Sequence, residues 1–220
     1  MLTLAHDYVL LSLDDHSGQT LVEDSFMLRS AVSAAWIGEM MFTDRLVPVS
    51  AGKFALRPGP LSKGLLGEVE KALEGGKPAD LRTCMSWLWG TWTTNDIAGW
   101  VRDDLVAKGV LRHEQDKWWF IAYNTRHPTA DMTTELSIRE RLRKHLATVG
   151  ESDPPHRDDA LISLLRASEL LEQVWAPREL EALRPLIVER TKRASLGLEA
   201  KHAADAARAA VMAATVVAIT

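Results

Sequence analysis

The residues of this chain whose types could carry out acid–base or metal chemistry are its acidic pairs and its seven histidines. The acidic pairs are Asp14–Asp15, Asp103–Asp104 and Asp158–Asp159. Adjacent residues do not share a helix face, so none of these pairs predicts a two-carboxylate site, and the last fits an acidic helix start. The histidines lack metal-ligand spacing, and there is no phosphate loop or nucleophile elbow. We therefore expect no enzyme, no catalytic residue, no metal and no cofactor.

Clustered basic residues on two helical stretches could instead attract an anionic ligand. The clusters are Arg139, Arg141, Arg143 and Lys144, and then Arg178, Arg184, Arg190, Lys192 and Arg193. One interpretation is a solvated surface with intrahelical ion pairs such as Glu140–Lys144. The other is attraction to anionic lipid, which contributes about 1 kcal/mol per basic residue close to the membrane.

An aromatic run from Trp118 to Tyr123 is the second candidate for a binding role. The pattern predicts a hairpin with strands at 110–111 and 117–123 and a turn at 113–116. Alternation along the second strand would make both of its faces apolar. Such a hairpin is either buried in the core, or it uses Trp118, Trp119 and Phe120 at a membrane or an oligomer contact.

Helical periodicity accounts for most of the remaining chain, and turn residues place a minor hairpin at 46–49 and 54–57. The predicted helices cover residues 4–13, 24–40, 61–73, 80–89 and 96–108, then two stretches within 138–175, then 177–194, which Pro185 should kink or split, and 198–219. Cys84 is predicted to be a core residue, and Thr3 and Asp80 are predicted to cap the helices that follow them. With no repeat and no long linker, residues 1–220 are expected to form one mostly α-helical domain.

The composition of the chain argues against some classes of function and favours others. The formal net charge is −4, which argues against bulk nucleic-acid binding. A single cysteine, no signal peptide and no transmembrane stretch favour a cytoplasmic protein with at most peripheral membrane contact. The helix at 96–108 followed by a hairpin also fits the end of a winged-helix DNA-binding module. However, Asp103–Asp104 would repel DNA, so DNA binding is the lesser alternative.

Several short motifs resemble the Golgi phosphoprotein 3 family in the expected order along nearly the whole chain. They are Leu2–Leu4, Leu10–Asp15 with Gly18, Gly90–Trp92, Leu105–Leu111, His127–Pro128, Ile138–Leu142 and Ala160–Trp175, followed by the alanine-rich C-terminus. The resemblance implies helices around a central helical bundle, with a projecting hairpin at 110–123 that serves oligomerisation and membrane contact. It also implies binding of a phosphoinositide, because eukaryotic members bind phosphatidylinositol 4-phosphate at Golgi membranes.

The headgroup pocket of those relatives has a tryptophan and three arginines, and this chain has Glu23, Ser33, Asn95 and Ala98 at the aligned positions. The bidentate partners that three guanidinium groups offer a phosphomonoester are therefore missing. Arg29 lies one helical turn before Ser33, and Arg102 lies one turn after Ala98. We hypothesise that Arg29, Ser33, Asn95 and Arg102 hold an anionic headgroup from these shifted positions.

The prediction from the sequence is thus a non-enzymatic peripheral membrane protein that binds anionic phospholipid of the phosphoinositide type. Its expected partners are a membrane surface and a second copy of itself through the hairpin, with no nucleic acid. The arginines would attract the acidic surface while the apolar hairpin inserts shallowly. A cytosolic scaffold that binds proteins and no lipid is the alternative.

Overall fold

The computed structural model describes residues 2–15, 17–50, 52–91, 97–118, 121–130, 132–148 and 156–196. The helices in these residues are α1 (Leu4–Leu11), α2 (Ser25–Phe42), α3 (Leu65–Leu73), α4 (Leu81–Thr91), α5 (Ile97–Ala107), α6 (Met132–Thr148), α7 (Arg157–Ala167), α8 (Leu171–Val174) and α9 (Pro177–Leu196). The strands are β1 (Leu46–Ser50), β2 (Lys53–Leu56), β3 (Glu114–Trp118) and β4 (Ile121–Arg126), paired as two antiparallel hairpins. The prediction of a mostly α-helical fold with two hairpins is confirmed.

Helix α1 lies at the centre of the fold. All eight of its residues are buried, including His6 and Asp7, as expected for a helix that is apolar nearly all round. The hydroxyl oxygen of Thr3 accepts a hydrogen bond from the backbone N–H of His6, which confirms the predicted cap. Helices α2, α5, α6 and α7 pack around α1. Polar side chains on α1 are therefore satisfied largely by groups from these neighbours, as Asp7 is by Arg141 on α6 and Arg157 on α7.

Helix α2 is a long helix that lines the core. It begins after Asp24, whose carboxylate accepts a hydrogen bond from the backbone N–H of Phe26. Its apolar stripe includes Trp36, which is fully buried. Because α2 packs on α4, α5 and α7 as well as on α1, this helix connects the N-terminal and C-terminal halves of the described chain.

The first hairpin forms where the turn residues predict it. Leu46 pairs with Leu56 and Pro48 with Phe54. A bridge between Phe54 and Ala79 attaches the hairpin to the segment before α4. That helix is capped by Asp80, as predicted, and contains Cys84, which is 2% exposed. Burial raises the pKa of the Cys84 thiol to about 11, so this residue is an unreactive part of the core.

The predicted register of the second hairpin is wrong. The observed strands pair Glu114 with Arg126 and Trp118 with Ile121, so the chain reverses inside the aromatic run and not at 113–116. Leu111 instead forms a bridge with Thr129. The alternation of faces predicted along 117–123 does not hold, because these residues do not form one continuous strand. The apolar run suggested one strand, but its residues divide between two, since Trp118 ends β3 and Ile121 begins β4.

Two further boundaries differ from the predictions. Helix α3 begins at Leu65 and not at Leu61, because Gly64 has a φ of 69°, a left-handed conformation that does not occur inside a right-handed helix. Helix α9 continues from Pro177 to Leu196 with Pro185 inside it, so the predicted split does not occur. The predicted helix at 198–219 lies outside the described residues.

Candidate functional site

Arg29 and Ser33 lie on successive turns of α2 but in different environments. The side chain of Arg29 is exposed. Ser33 is fully buried, and its hydroxyl donates a hydrogen bond to the carbonyl oxygen of Arg29 at 2.9 Å. Phe26, which is 44% exposed, comes three residues before Arg29 and therefore shares its helix face. The start of α2 thus presents an aromatic and a basic side chain to solvent, while Ser33 faces the core.

Arg102 lies on α5, which packs against α2. Ala98, one turn earlier on α5, is fully buried like Ser33. Two of the three positions that align with pocket arginines of the relatives, Ser33 and Ala98, are thus occupied by small buried side chains, and an arginine stands one turn away on each helix. The structure brings α2 and α5 together, and both arginines lie among the described residues. Asn95 lies outside them.

The base of the hairpin β3–β4 places two histidines close to Arg102. His113 immediately precedes β3, and His127 immediately follows β4. Their ring centroids are 5.3 Å apart, with the rings at 71° to each other. The backbone N–H of Arg112 donates to the carbonyl oxygen of Pro128 at 2.9 Å, which continues the pairing below the strands and holds the histidines opposite one another.

His127 has an unusual polar environment. It is 8% exposed, and its Nε2 has no hydrogen-bond partner among the described residues. Burial lowers the pKa of His127, and the charges of Arg102 and His113 lower it further, while Asp103 opposes them. Basic groups that repel one another's protons would be stabilised by an anion placed between them. The sequence offered no signal for this cluster beyond His127–Pro128, since its members belong to three segments.

The aromatic residues predicted to contact a membrane are only partly within the described structure. Trp118 is the last residue of β3 and pairs with Ile121 through the backbone. Trp119 and Phe120 lie outside the described residues. The hairpin strands pack mainly on each other, and their reversal falls between Trp118 and Ile121.

The arginines of α6 are used within the fold. Arg139 pairs with Glu135 and donates to two backbone carbonyl oxygens, of Gln173 and Val174. Arg143 pairs with Glu140 and with Glu179 on α9. These contacts support the ion-pair interpretation of this cluster, although most of the partners lie on other elements.

A buried ionic network connects four helices, and sequence reasoning missed it. Oδ2 of Asp7 accepts from Nη2 of Arg141 at 2.7 Å and from Nη1 of Arg157 at 2.9 Å. Arg141 also donates to Asp158, and Arg157 donates to Glu39. These residues are far apart in sequence, so no local pattern identifies them as partners. The network is structural, because it ties α1, α2, α6 and α7 together.

Glu135 makes the stability of the protein depend on pH. Burial, followed by a hydrogen bond with Asp15, raises the pKa of Glu135 to about 7, compared with about 4.3 for an exposed glutamate. The folded state therefore holds a proton that the unfolded state loses, and stability should fall as pH rises from about 4.3 through about 7.

We expect Glu135→Gln to raise the free energy of unfolding by about 1–3 kcal/mol at pH 8 and to change it little at pH 4. Urea unfolding of both proteins at each pH measures this difference, and Glu181→Gln, at an exposed position of α9, is the control. A difference that is the same at both pH values would contradict the assignment. Comparing variant with wild type cancels the titration of the other buried groups.

No helix in the described part of the chain is both long enough and apolar enough to cross a bilayer. A comparison with protein-family models matches residues 4–214 to the family described as Golgi phosphoprotein 3 (GPP34). A comparison with curated proteins finds no match.

Proposed function

The chain belongs to the Golgi phosphoprotein 3 (GPP34) family, and from this premise we propose that it is a peripheral membrane protein that binds anionic phospholipid. The headgroup, of the phosphoinositide type, would be held by a basic surface made of Arg29, Arg102, His113 and His127. The hairpin β3–β4 would insert its aromatic end shallowly into the same membrane. The protein acts by binding and not by catalysis, as one domain over residues 1–220.

The observation that carries this proposal is the position of the basic cluster at the base of a hairpin whose reversal falls in an aromatic run. A strand of five residues, as β3 is, spans about 17 Å. Aromatic residues at the interface enter a membrane by about 5–10 Å. With the tip at that depth and the hairpin upright, the two histidines at its base would lie about 7–12 Å from the interface, which is close to one Debye length of about 8 Å.

The electrostatics of the cluster favour an anion. Arg102 and His113 lower the pKa of His127, so a nearby phosphate would relieve their repulsion and allow the imidazole to protonate. The unpartnered Nε2 of His127 is a buried polar atom that a phosphate oxygen could satisfy. The aromatic end of the hairpin also suits a contact with a second copy of the chain, which we propose as its other partner.

The DNA-binding alternative is not favoured by α5. That mode would need a basic face on this helix, but Asp103 is exposed there, and Asp104 pairs with His6 and with Lys108. Paired aspartates on the reading helix would repel the DNA backbone. If the protein binds no lipid, the alternative of a scaffold that binds other proteins would replace the lipid function.

We expect the wild-type protein to sediment with liposomes that contain phosphatidylinositol or a phosphoinositide, to remain soluble with neutral liposomes, and to be released by salt. Replacing both Arg29 and Arg102 by alanine should weaken binding about 30-fold, because each basic residue near an anionic surface contributes about 1 kcal/mol. Sedimentation across a lipid titration at low and high salt measures the effect.

The matched control is Arg178→Ala with Arg184→Ala, two exposed arginines of α9, which gives the same net charge. It should bind like the wild type. Equal weakening in both double variants would mean that binding responds to overall charge and not to this site. Unchanged binding in the variant that lacks Arg29 and Arg102 would overturn the proposed site. Absence of binding to every liposome would overturn the lipid function and leave the scaffold.

A further inference from the structure

Two histidines and an aspartate meet where α6 ends and α7 begins. One ring nitrogen of His145, one of His156 and one carboxylate oxygen of Asp158 all lie within 4.8 Å of one another. The two imidazole rings have centroids 5.0 Å apart. This cluster is separate from the proposed lipid site and takes no part in it. We propose that these three side chains bind a divalent transition-metal ion, with Zn²⁺ as the ion that fits the ligand set best.

Asp159 prepares His145 to act as a ligand. The imidazole Nε2 of His145 lies 2.8 Å from Oδ1 of Asp159. Asp159 also accepts a hydrogen bond from the backbone N–H of His156 at 2.7 Å. An ionised carboxylate at that distance is an acceptor, so Nε2 carries the proton and Nδ1 keeps its lone pair. Metal-binding histidines commonly have this carboxylate partner on the other ring nitrogen.

Arg190 neutralises the carboxylate of Asp159, so that Asp159 orients His145 and does not compete with Asp158 for the metal ion. It donates from Nε to Oδ1 and from Nη2 to Oδ2 of Asp159, at 2.9 and 3.0 Å. The bidentate contact fixes the carboxylate and neutralises it. Asp159 is therefore committed to orienting His145, while the adjacent Asp158 supplies the ligand oxygen.

Asp158 and His156 complete the ligand set. Oδ1 of Asp158 accepts from Nε of Arg141 at 2.9 Å, and its Oδ2 lies 3.5 Å from Nδ1 of His156. The guanidinium group of Arg141 stabilises the charged form of this carboxylate. The carboxylate is thus ionised and offers its second oxygen to a cation.

The exposure of His156 gives a metal ion access and allows the site to contract. Its side chain is 60% exposed, whereas that of Asp158 is 4% exposed. Tetrahedral zinc with bonds of about 2.0–2.1 Å places its ligands about 3.4 Å apart. The ligand atoms here lie within 4.8 Å of one another, and the exposed side chain of His156 can rotate to bring its ring nitrogen closer to the other two. Two imidazoles and one carboxylate suit zinc, and hard oxygen-seeking ions such as Mg²⁺ fit poorly. Three protein ligands leave the fourth position to water.

A metal ion here would connect the end of α6 to the first turn of α7. Binding to the folded chain stabilises it by mass action, so the ion would act as a clip between two helices that also hold the network around Asp7. His156 is the N-cap of α7, and its Nδ1 accepts a hydrogen bond from the backbone N–H of Asp158 at 3.2 Å. Because a neutral imidazole has a single acceptor lone pair, coordination of the ion by Nδ1 would replace this hydrogen bond. This double role decides which substitution can test the site.

The test uses the full chain, purified without a polyhistidine tag and treated with a chelator, and then titrated with Zn²⁺ by calorimetry and with Co²⁺ by visible absorption. We expect one ion per chain, the d–d bands of tetrahedral Co²⁺, and a rise in Tm on adding Zn²⁺. His156→Asn should weaken Zn²⁺ binding at least tenfold and abolish the rise in Tm. Asparagine keeps the N-cap because its side-chain oxygen also accepts from the backbone, so this variant should fold.

His202→Asn removes a histidine that lies outside the described residues and is the matched control, which should bind Zn²⁺ like the wild type. Absence of Zn²⁺ binding by the wild type would overturn the proposal and leave the cluster as a helix cap. Unchanged affinity in His156→Asn, or equal loss in both variants, would also overturn it. None of these results depends on liposome binding, so the metal site and the lipid site can fail separately.

Discussion

Replacing Asp7 by alanine is expected to lower the free energy of unfolding by about 3–5 kcal/mol, because it breaks a buried ion pair by removing one partner. Asp7 is 1% exposed and accepts hydrogen bonds from Arg141 and Arg157 through a single oxygen. Without it, two guanidinium groups lose an anion that lies between α1, α6 and α7. Urea unfolding at neutral pH, followed by far-UV circular dichroism, measures the loss.

The control for this substitution is Asp103→Ala on the exposed face of α5, which should change stability by no more than about 0.5 kcal/mol. The double variant Asp7→Ala with Arg157→Ala should be destabilised by less than the sum of the single variants, since the contact is already lost in each. Arg141 and Arg157 also pair with Asp158 and Glu39. A loss below about 1 kcal/mol in Asp7→Ala would show that these second partners suffice.

Gly18→Ala is expected to destabilise the protein by about 2–5 kcal/mol, the sum of a left-handed backbone conformation and an overpacked contact. Gly18 has φ of +63°, and a Cβ at this position would lie 2.2 Å from the carbonyl carbon of His127 and from the nitrogen of Pro128. The two backbones would have to separate. Since His127 stands at the base of the hairpin, the same substitution should also weaken liposome binding.

Gly75→Ala separates the two contributions. Gly75 has φ of +74° and nothing within 4 Å of an added Cβ. Gly75→Ala should therefore lower the free energy of unfolding only by the cost of the left-handed backbone conformation, about 1–2 kcal/mol. Thermal and urea unfolding of both variants, together with liposome sedimentation of the folded fraction, measures the difference. Equal destabilisation of the two variants would mean that the segment at His127 moves aside without cost, and the proposed coupling between Gly18 and the hairpin base would be wrong.

Some basic residues of this protein form ion pairs within the fold and others belong to the proposed lipid site, and the sequence does not show which are which. Arg139, Arg141 and Arg143 lie within one helix and suggest a basic membrane-facing surface, yet each of them pairs with carboxylates. Arg29 and the cluster around His127 are less conspicuous in sequence, but they lie beside an aromatic residue or at the base of the hairpin. The density of basic residues along the chain is therefore a poor guide to the position of the proposed site.

The sequence by itself determined the features that depend on neighbours within about one helical turn. The caps at Thr3 and Asp80 and the helix start near Asp24 were predicted and are present, because a capping side chain needs only its own backbone two or three residues away. The first hairpin and the burial of Cys84 follow from equally local signals. The family resemblance was also predicted from motifs read in order, and the match over residues 4–214 confirms it.

Only the tertiary structure decided the register of the second hairpin, the pairing of Asp7 with Arg141 and Arg157, and the meeting of His113 with His127. Asp7 and its partners are separated by 134 and 150 residues, and the strength of such a pair depends on how deeply packing buries it. In the hairpin, the apolar run is compatible with several registers, and the observed one pairs Glu114 with Arg126 and Trp118 with Ile121. Contacts between distant residues depend on the packing of whole helices, which no local pattern encodes.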